Sequence, residues 1–85
     1  MKKHETHPAI LKRLQRAEGH LKSIITMIEA ERECVDIAQQ LQAVEKAIGN
    51  AKRQLVQDHI EHCLEDSTDH KASIRELKEL TKYLS

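Results

Sequence analysis

The strongest indication of chemistry in this sequence is the spacing of three residues, Cys34, His59 and Cys63. The side chains of all three can bind a metal. His59 and Cys63 are four residues apart, so on a helix they are neighbours on one face and can bind one ion together. Cys34 precedes His59 by 25 residues, which at about 1.5 Å of rise per residue is roughly 37 Å along a continuous helix. One protomer therefore cannot bring all three donors to the same ion.

An antiparallel partner helix removes this difficulty. Two-fold symmetry places Cys34 of one protomer beside His59 and Cys63 of its partner and generates two equivalent sites per dimer. The spacing therefore predicts a homodimer as well as a ligand set. A His with a Cys four residues later also arises by chance, and both cysteines could be small buried apolar residues, so that alternative stays open on spacing alone.

Four other histidines have weaker claims as ligands. His4 and His7 lie in an expected flexible N-terminal arm, residues 1–7, and could supply extra donors or be ordinary terminal residues. His62 is one helical step away from the ligand face, so we expect it to be exposed. His20 lies on the first predicted helix, where a histidine that is hydrogen-bonded in the interior or at an interface is the expected case.

The composition predicts a single all-α domain over residues 1–85. The chain has no Phe or Trp, one Tyr, two Gly and one Pro, and 33% of its residues are charged. So small an aliphatic core would gain from self-association. There is no apolar stretch of signal-peptide or membrane-spanning length, which favours a cytoplasmic protein without a membrane partner. In that compartment the two cysteines would be reduced and available as ligands.

Apolar residues at helical spacing divide the chain into three helices. The first opens at residues 6–8, where Pro8 suits the first helical position, and the second runs from about Cys34 to Leu64. The break between them contains no Gly or Pro, so one long fused helix is an alternative. Ser67, Thr68 and Asp69 supply turn and cap chemistry before a short third helix. The apolar helix positions are Ile10, Leu11, Leu14, Ala17, Leu21, Ile24, Ile25 and Ile28, then Ile37, Ala38, Leu41, Val44, Ile48, Ala51, Leu55, Val56 and Ile60, then Ile74, Leu77, Leu80 and Leu84.

The formal net charge is zero, but the charges are unevenly distributed. Residues 1–26 contain six Lys or Arg against two Glu, whereas residues 57–69 contain five acidic residues and no Lys or Arg. A basic first part could contact phosphate and the acidic segment suits a cation, although solvated helix faces often have the same pattern. No nucleophile is paired with an oriented base, so catalysis is not expected.

Four segments carry a resemblance to a known family: RLQRAEGHL at 13–21, CVDI at 34–37, QLQAV at 40–44 and HIEHCL at 59–64. Together they resemble the CsoR/RcnR family of bacterial metal-sensing repressors over almost the whole chain. The Cys, His, Cys pattern is most similar to the copper-sensing branch, in which two thiolates and one imidazole bind Cu(I). The resemblance implies a three-helix protomer, an antiparallel four-helix-bundle dimer and a dimer of dimers. It also implies that the apo tetramer binds operator DNA and that metal binding releases it, so that efflux or resistance genes are transcribed.

The same resemblance suggests roles for further residues. Glu79, on the third helix, falls where a carboxylate contacts the ligand histidine and could orient His59. Family members contact DNA through basic residues rather than a helix-turn-helix, and Arg13 carries over. A second family arginine falls on Asn50, which would shift the contact with phosphate along the helix. The expected DNA-binding residues are Lys12, Arg13, Arg16, Lys52 and Arg53.

Alternatives differ in inducer and in class. The residue before the first cysteine is often Tyr in the copper branch, but it is Glu33 here. A Ni(II) or Co(II) sensor of the same family would recruit His4, His7 or the terminal amine as additional ligands. A formaldehyde sensor would need an N-terminal proline, but residue 2 is Lys; a persulfide sensor would lack a ligand at His59. Outside regulation, the chain could be a metal chaperone or a helical interaction module. Neither would bind a specific DNA duplex in a way that metal reverses.

Overall fold

The computed structural model describes residues 7–66 and 70–84, with the side chains of residues 62–73 outside the described part. The described residues form three helices, α1 (His7–Glu29), α2 (Cys34–Asp66) and α3 (His70–Thr81), and contain no strand. The all-α prediction is confirmed. His7, expected in the N-terminal arm, is the first residue of α1, and His4 lies outside the described residues. Within the described ranges, no helix is both long enough and apolar enough to cross a membrane.

A four-residue turn, residues 30–33, separates α1 from α2, so the alternative of one fused helix is wrong. The amide of Arg32 donates to the carbonyl of Met27 at 3.0 Å, and the amide of Glu31 donates to the carbonyl of Ile28 at 3.1 Å. These two hydrogen bonds form a Schellman motif, which satisfies carbonyls at the end of a helix. Glu31 has the left-handed backbone conformation that the motif requires, with φ of 57°. The helix therefore ends through backbone geometry rather than through a glycine.

Replacing Glu31 by Gly should stabilise the protein by up to about 1 kcal/mol, because a Cβ is unfavourable in the left-handed region. Equilibrium urea unfolding followed by circular dichroism, at one fixed protein concentration, measures the change. Glu31→Ala is the matched control, since it removes the same carboxylate but keeps the Cβ. An equal gain from both variants would mean that charge, and not backbone strain, is responsible.

The core of the protomer is a narrow seam where α1 packs on α2. On α1 the buried residues are Ile10, Ala17 and Ile24, spaced seven residues apart, as in helices that pack at a shallow angle. Their buried counterparts on α2 are Val44, Ala51 and Val56. α3 packs against α2 rather than α1. α2 is therefore the central element, and every other helix is positioned against it.

The protomer is long and thin. It measures 55 × 23 × 13 Å, and its radius of gyration is 17.2 Å, against about 12 Å for a compact domain of this length. A single layer of helices can bury only one strip of each helix, so many of the apolar positions identified in the sequence lie on the surface of the protomer. The large apolar side chains that are 41–65% exposed are Leu11, Leu14, Leu21, Ile25, Ile28, Val35, Leu41, Ile48, Leu55, Ile74, Tyr83 and Leu84.

Candidate metal centre and DNA-binding surface

All three predicted metal ligands lie on α2. Cys34 is its first residue and is exposed, and His59 is half-buried near the other end. Cys63 follows His59 by one turn, and its side chain lies outside the described part. Because α2 is unbroken over these 33 residues, the separation of roughly 37 Å between Cys34 and His59 along the helix applies. The structure thus places one donor at the start of the helix and the others near its end.

The same helix geometry places the donors on one side of α2. Successive residues turn by about 100°, so a separation of 25 residues returns the chain to within about 20° of its starting direction. Cys34 and His59 therefore project from nearly the same side of the helix. Among the residues with described side chains, no three His, Cys, Asp or Glu are close enough to hold a metal.

A carboxylate of α3 contacts His59. The Nε2 atom of His59 is hydrogen-bonded to Oε1 of Glu76, with side chains 30% and 50% exposed. The family resemblance predicts Glu79, one turn further along α3, for this contact. The structure instead pairs Glu79 with Lys82, whose Nζ donates to Oε2 at 2.7 Å. The packing of α3 on α2 determines which turn lies level with His59, and the spacing of residues within α3 does not reveal this register.

His20 links α1 to α2 as the sequence predicted for a partly buried histidine. Its Nε2 atom is hydrogen-bonded to Oε1 of Gln40 at 2.5 Å. The two residues are 20 positions apart in the chain, so the bond fixes the relative position of the two helices across the seam. This histidine therefore has a structural partner within the hairpin.

A groove with a volume of about 530 Å³ lies between α1 and α2. Lys12, Arg13 and Arg16 of α1 line one wall, and Asn50 of α2 lines the other. Leu14 belongs to the exposed apolar surface. It is two residues from Arg16, and this separation turns its side chain about 200° around the helix from that of Arg16. The basic groove and the exposed apolar surface are thus on opposite sides of the hairpin.

The two remaining predicted DNA-binding residues differ in position. Arg53 donates a hydrogen bond from Nη2 to Oδ1 of Asn50, so its guanidinium lies at the edge of the groove. Lys52 follows Asn50 by two residues and is not among the lining residues, because it projects from another side of α2. The Asn50–Arg53 contact was not anticipated from the sequence. Their i, i+3 spacing was the available signal.

An all-helical chain with Cys and His side chains near the two ends of one helix, and with a groove lined by Lys and Arg, has the features expected of a helical metal-sensing regulator. The chain belongs to the family of metal-sensitive transcriptional repressors, whose model matches residues 6–85. The resemblance drawn from the motifs is confirmed. Family membership also makes the chain a transcriptional regulator that acts on DNA rather than an enzyme.

The chain is similar to several known proteins to different extents. The chain is 41% identical over 76 residues to the copper-sensing transcriptional repressor CsoR of Bacillus subtilis (strain 168), covering 86% of this chain and 75% of that protein. It is 44% identical over 55 residues to CsoR of Mycobacterium ulcerans (strain Agy99), covering 65% of this chain and 47% of that protein. Among solved structures, the nickel-responsive transcriptional regulator InrS has a TM-score of 0.84 at 26% identity, covering 100% of this chain and 99% of InrS.

Proposed function

We propose that this protein is a copper-responsive repressor that binds operator DNA in its apo form and releases it on binding Cu(I). The ligands are Cys34 of one protomer and His59 and Cys63 of its antiparallel partner. The observation that carries the proposal is the unbroken α2, which holds Cys34 and His59 on one side but roughly 37 Å apart. The copper-sensing relatives at 41% and 44% identity support copper as the inducer.

The donor set fits Cu(I). Thiolates are soft ligands that favour Cu(I), and an imidazole completes a low-coordinate site. Glu76 contacts Nε2 of His59 and so fixes the orientation of the ring. A metal-bound histidine commonly has such a carboxylate on its second nitrogen, which leaves Nδ1 to bind the ion. The contact between α2 and α3 thereby prepares His59 as a ligand.

Self-association follows from the exposed apolar surface of the protomer. Leu14, Leu21 and Ile25 of α1 and Leu41 and Ile48 of α2 are each between 43% and 51% exposed, and a contiguous apolar surface of this kind marks a protein interface. Two hairpins packed through this surface form an antiparallel four-helix bundle. Two such dimers then form the tetramer that binds the operator.

Metal and DNA are coupled through α2 because this helix contributes residues to both sites. Asn50 lines the basic groove between the positions of Cys34 and His59, so a metal that ties the ends of two α2 helices together also changes the placement of the grooves. The coupling is reciprocal, since an ion that weakens DNA binding must itself bind less tightly to the DNA-bound protein.

A second candidate inducer is Ni(II) or Co(II), favoured by the structural similarity to nickel-responsive InrS. These ions take square-planar or octahedral geometries and would need donors beyond two thiolates and one imidazole. His7, at the start of α1, and His4 would be the additional ligands. The double variant His4→Ala/His7→Ala therefore separates the two candidates.

Titration of Cu(I) and Ni(II), separately, into the protein on its own promoter fragment tests the proposal. We expect Cu(I) to weaken DNA binding by about tenfold or more, as typical coupling energies allow, with thiolate-to-metal charge-transfer absorption rising in parallel. His4→Ala/His7→Ala should keep the Cu(I) response. A wild-type response to Ni(II) that is lost in this variant would favour nickel or cobalt, and DNA affinity unchanged by either ion would end the sensor assignment.

A further inference from the structure

Arg53 is folded back along α2 towards the basic groove. Its Nη2 atom donates to Oδ1 of Asn50, three residues earlier, and Asn50 itself lines the groove together with Lys12, Arg13 and Arg16. The side chain is half-buried although Arg53 lies on the surface of a helix. The guanidinium is therefore held at the groove edge by a contact within α2.

Gly49 lies beneath the guanidinium of Arg53 in this conformation. A Cβ built on Gly49 would lie 3.5 Å from Nη1 and 3.6 Å from Nη2 of Arg53, so the guanidinium rests directly over this glycine. These distances are ordinary van der Waals contacts, and an alanine would fit without displacing the arginine. A longer side chain at position 49 would occupy the place of the guanidinium.

The chemistry of the acceptor matters as much as its position. An amide oxygen takes one N–H of the guanidinium and leaves the other donors for an anion. Because the amide is neutral, it leaves the positive charge of Arg53 uncompensated, whereas a carboxylate in the same place would cancel it. Arg also loses side-chain entropy when it is immobilised, and an arginine that is already held loses less on binding.

We propose that Asn50 is a positioning residue that holds Arg53 for a bidentate contact with a phosphate of the operator backbone. Arg53 then acts with Lys12, Arg13 and Arg16 as one phosphate-binding surface. The proposal rests on the proposed function, since it assumes that the groove faces DNA. A phosphate contact contributes equally on all sequences, so Arg53 sets affinity and register rather than base preference.

DNA affinity measured at several salt concentrations tests this role. Asn50→Ala and Arg53→Lys each keep the positive charge at position 53. The first loses the acceptor that holds the guanidinium, and the second loses the guanidinium itself. Each should therefore weaken DNA binding about tenfold with little change in salt dependence. The double variant should bind no more weakly than either single variant. Arg53→Ala removes the charge and should lower the salt slope by about one for each lost phosphate contact.

Two further variants separate positioning from a structural role. Asn50→Asp has the same shape and keeps an acceptor for Arg53, but it neutralises the guanidinium, so it should weaken binding and lower the salt slope as Arg53→Ala does. Gly49→Ala is the matched control and should bind DNA like the wild type. Thermal unfolding by circular dichroism checks that each variant is folded.

Specific outcomes overturn the proposal. Wild-type affinity in both Asn50→Ala and Asn50→Asp would show that Asn50 does not position Arg53, and additive losses in Asn50→Ala/Arg53→Lys would show that the two residues act separately. A loss in Arg53→Ala confined to the operator, with binding to unrelated DNA unchanged, would indicate base reading instead. If the wild type itself bound no DNA, the proposed function would fail first.

Discussion

Co-expression of Cys34→Ala and Cys63→Ala chains is expected to restore copper binding that each variant lacks when it is expressed alone. Each single variant has lost one thiolate from both sites of its homodimer. In the mixed dimer, the Cys63→Ala chain supplies an intact Cys34, and the Cys34→Ala chain supplies intact His59 and Cys63, so one of the two sites is complete. The other site of that dimer lacks both thiolates.

The size of the recovery follows from random pairing. About half of the dimers are mixed and each has one complete site, so total Cu(I) capacity should reach roughly a quarter of the wild-type value. Equilibrium dialysis against a Cu(I) chelator of known affinity measures it on the whole mixture of co-expressed chains, without selection for mixed dimers. Cys34→Ala co-expressed with the Cys34→Ala/Cys63→Ala double variant is the control, because no Cys34 remains. No recovery in the first mixture, or full binding by either single variant, would rule out a site shared between protomers.

The helices could be predicted from the sequence more readily than the turn between α1 and α2. The predicted second helix, from about Cys34 to Leu64, corresponds to α2 at Cys34–Asp66, because the apolar periodicity over this stretch is long and regular. The turn at residues 30–33 has no Gly or Pro. Its stop signal is the conformation of Glu31, which the packing of α1 on α2 stabilises against local preference. The local pattern of residue types does not predict that packing.

The candidate site divides in the same way. His59 and Cys63 follow from i, i+4 spacing, and the distance to Cys34 follows from helical rise, both of which are properties of a single helix. Glu76 and Glu79 are three residues apart on α3, and only the packing of α3 on α2 decides that Glu76 is the one against His59. Contacts between helices depend on the register of one helix against another, and the spacing of residues within a single helix does not reveal that register.

The apolar positions show a further limit of sequence patterns. Ile24 is 1% exposed and Ile25 is 51% exposed, although both belong to the same run of apolar residues on α1. Helical periodicity identifies the apolar surface of a helix, but it does not reveal whether the same chain or a partner covers that surface. In this protein the seam between α1 and α2 covers one set, and we assign the other to the partner protomer.

Replacing Ile48 by Glu is expected to dissociate the protein into monomers of 9.8 kDa. If Cys34 of one α2 lies level with residues 59 to 63 of the other, antiparallel pairing places the two-fold axis near residue 48, where Ile48 meets its own copy. Ile48 is 45% exposed in the protomer. Two carboxylates facing each other in an apolar interface cost several kcal/mol, which is comparable to the whole stability of a small helical assembly.

Analytical ultracentrifugation over a range of concentrations measures the dissociation. Gln42→Glu is the matched control, since Gln42 is exposed and lies about 120° away around α2, so it adds the same carboxylate away from the axis. Because each proposed copper site requires two protomers, Ile48→Glu should also reduce Cu(I) affinity to the level of Cys34→Ala, although it leaves every proposed ligand in place. An Ile48→Glu protein that keeps the mass of the wild type would show that the apolar surface of α2 is covered in some other way.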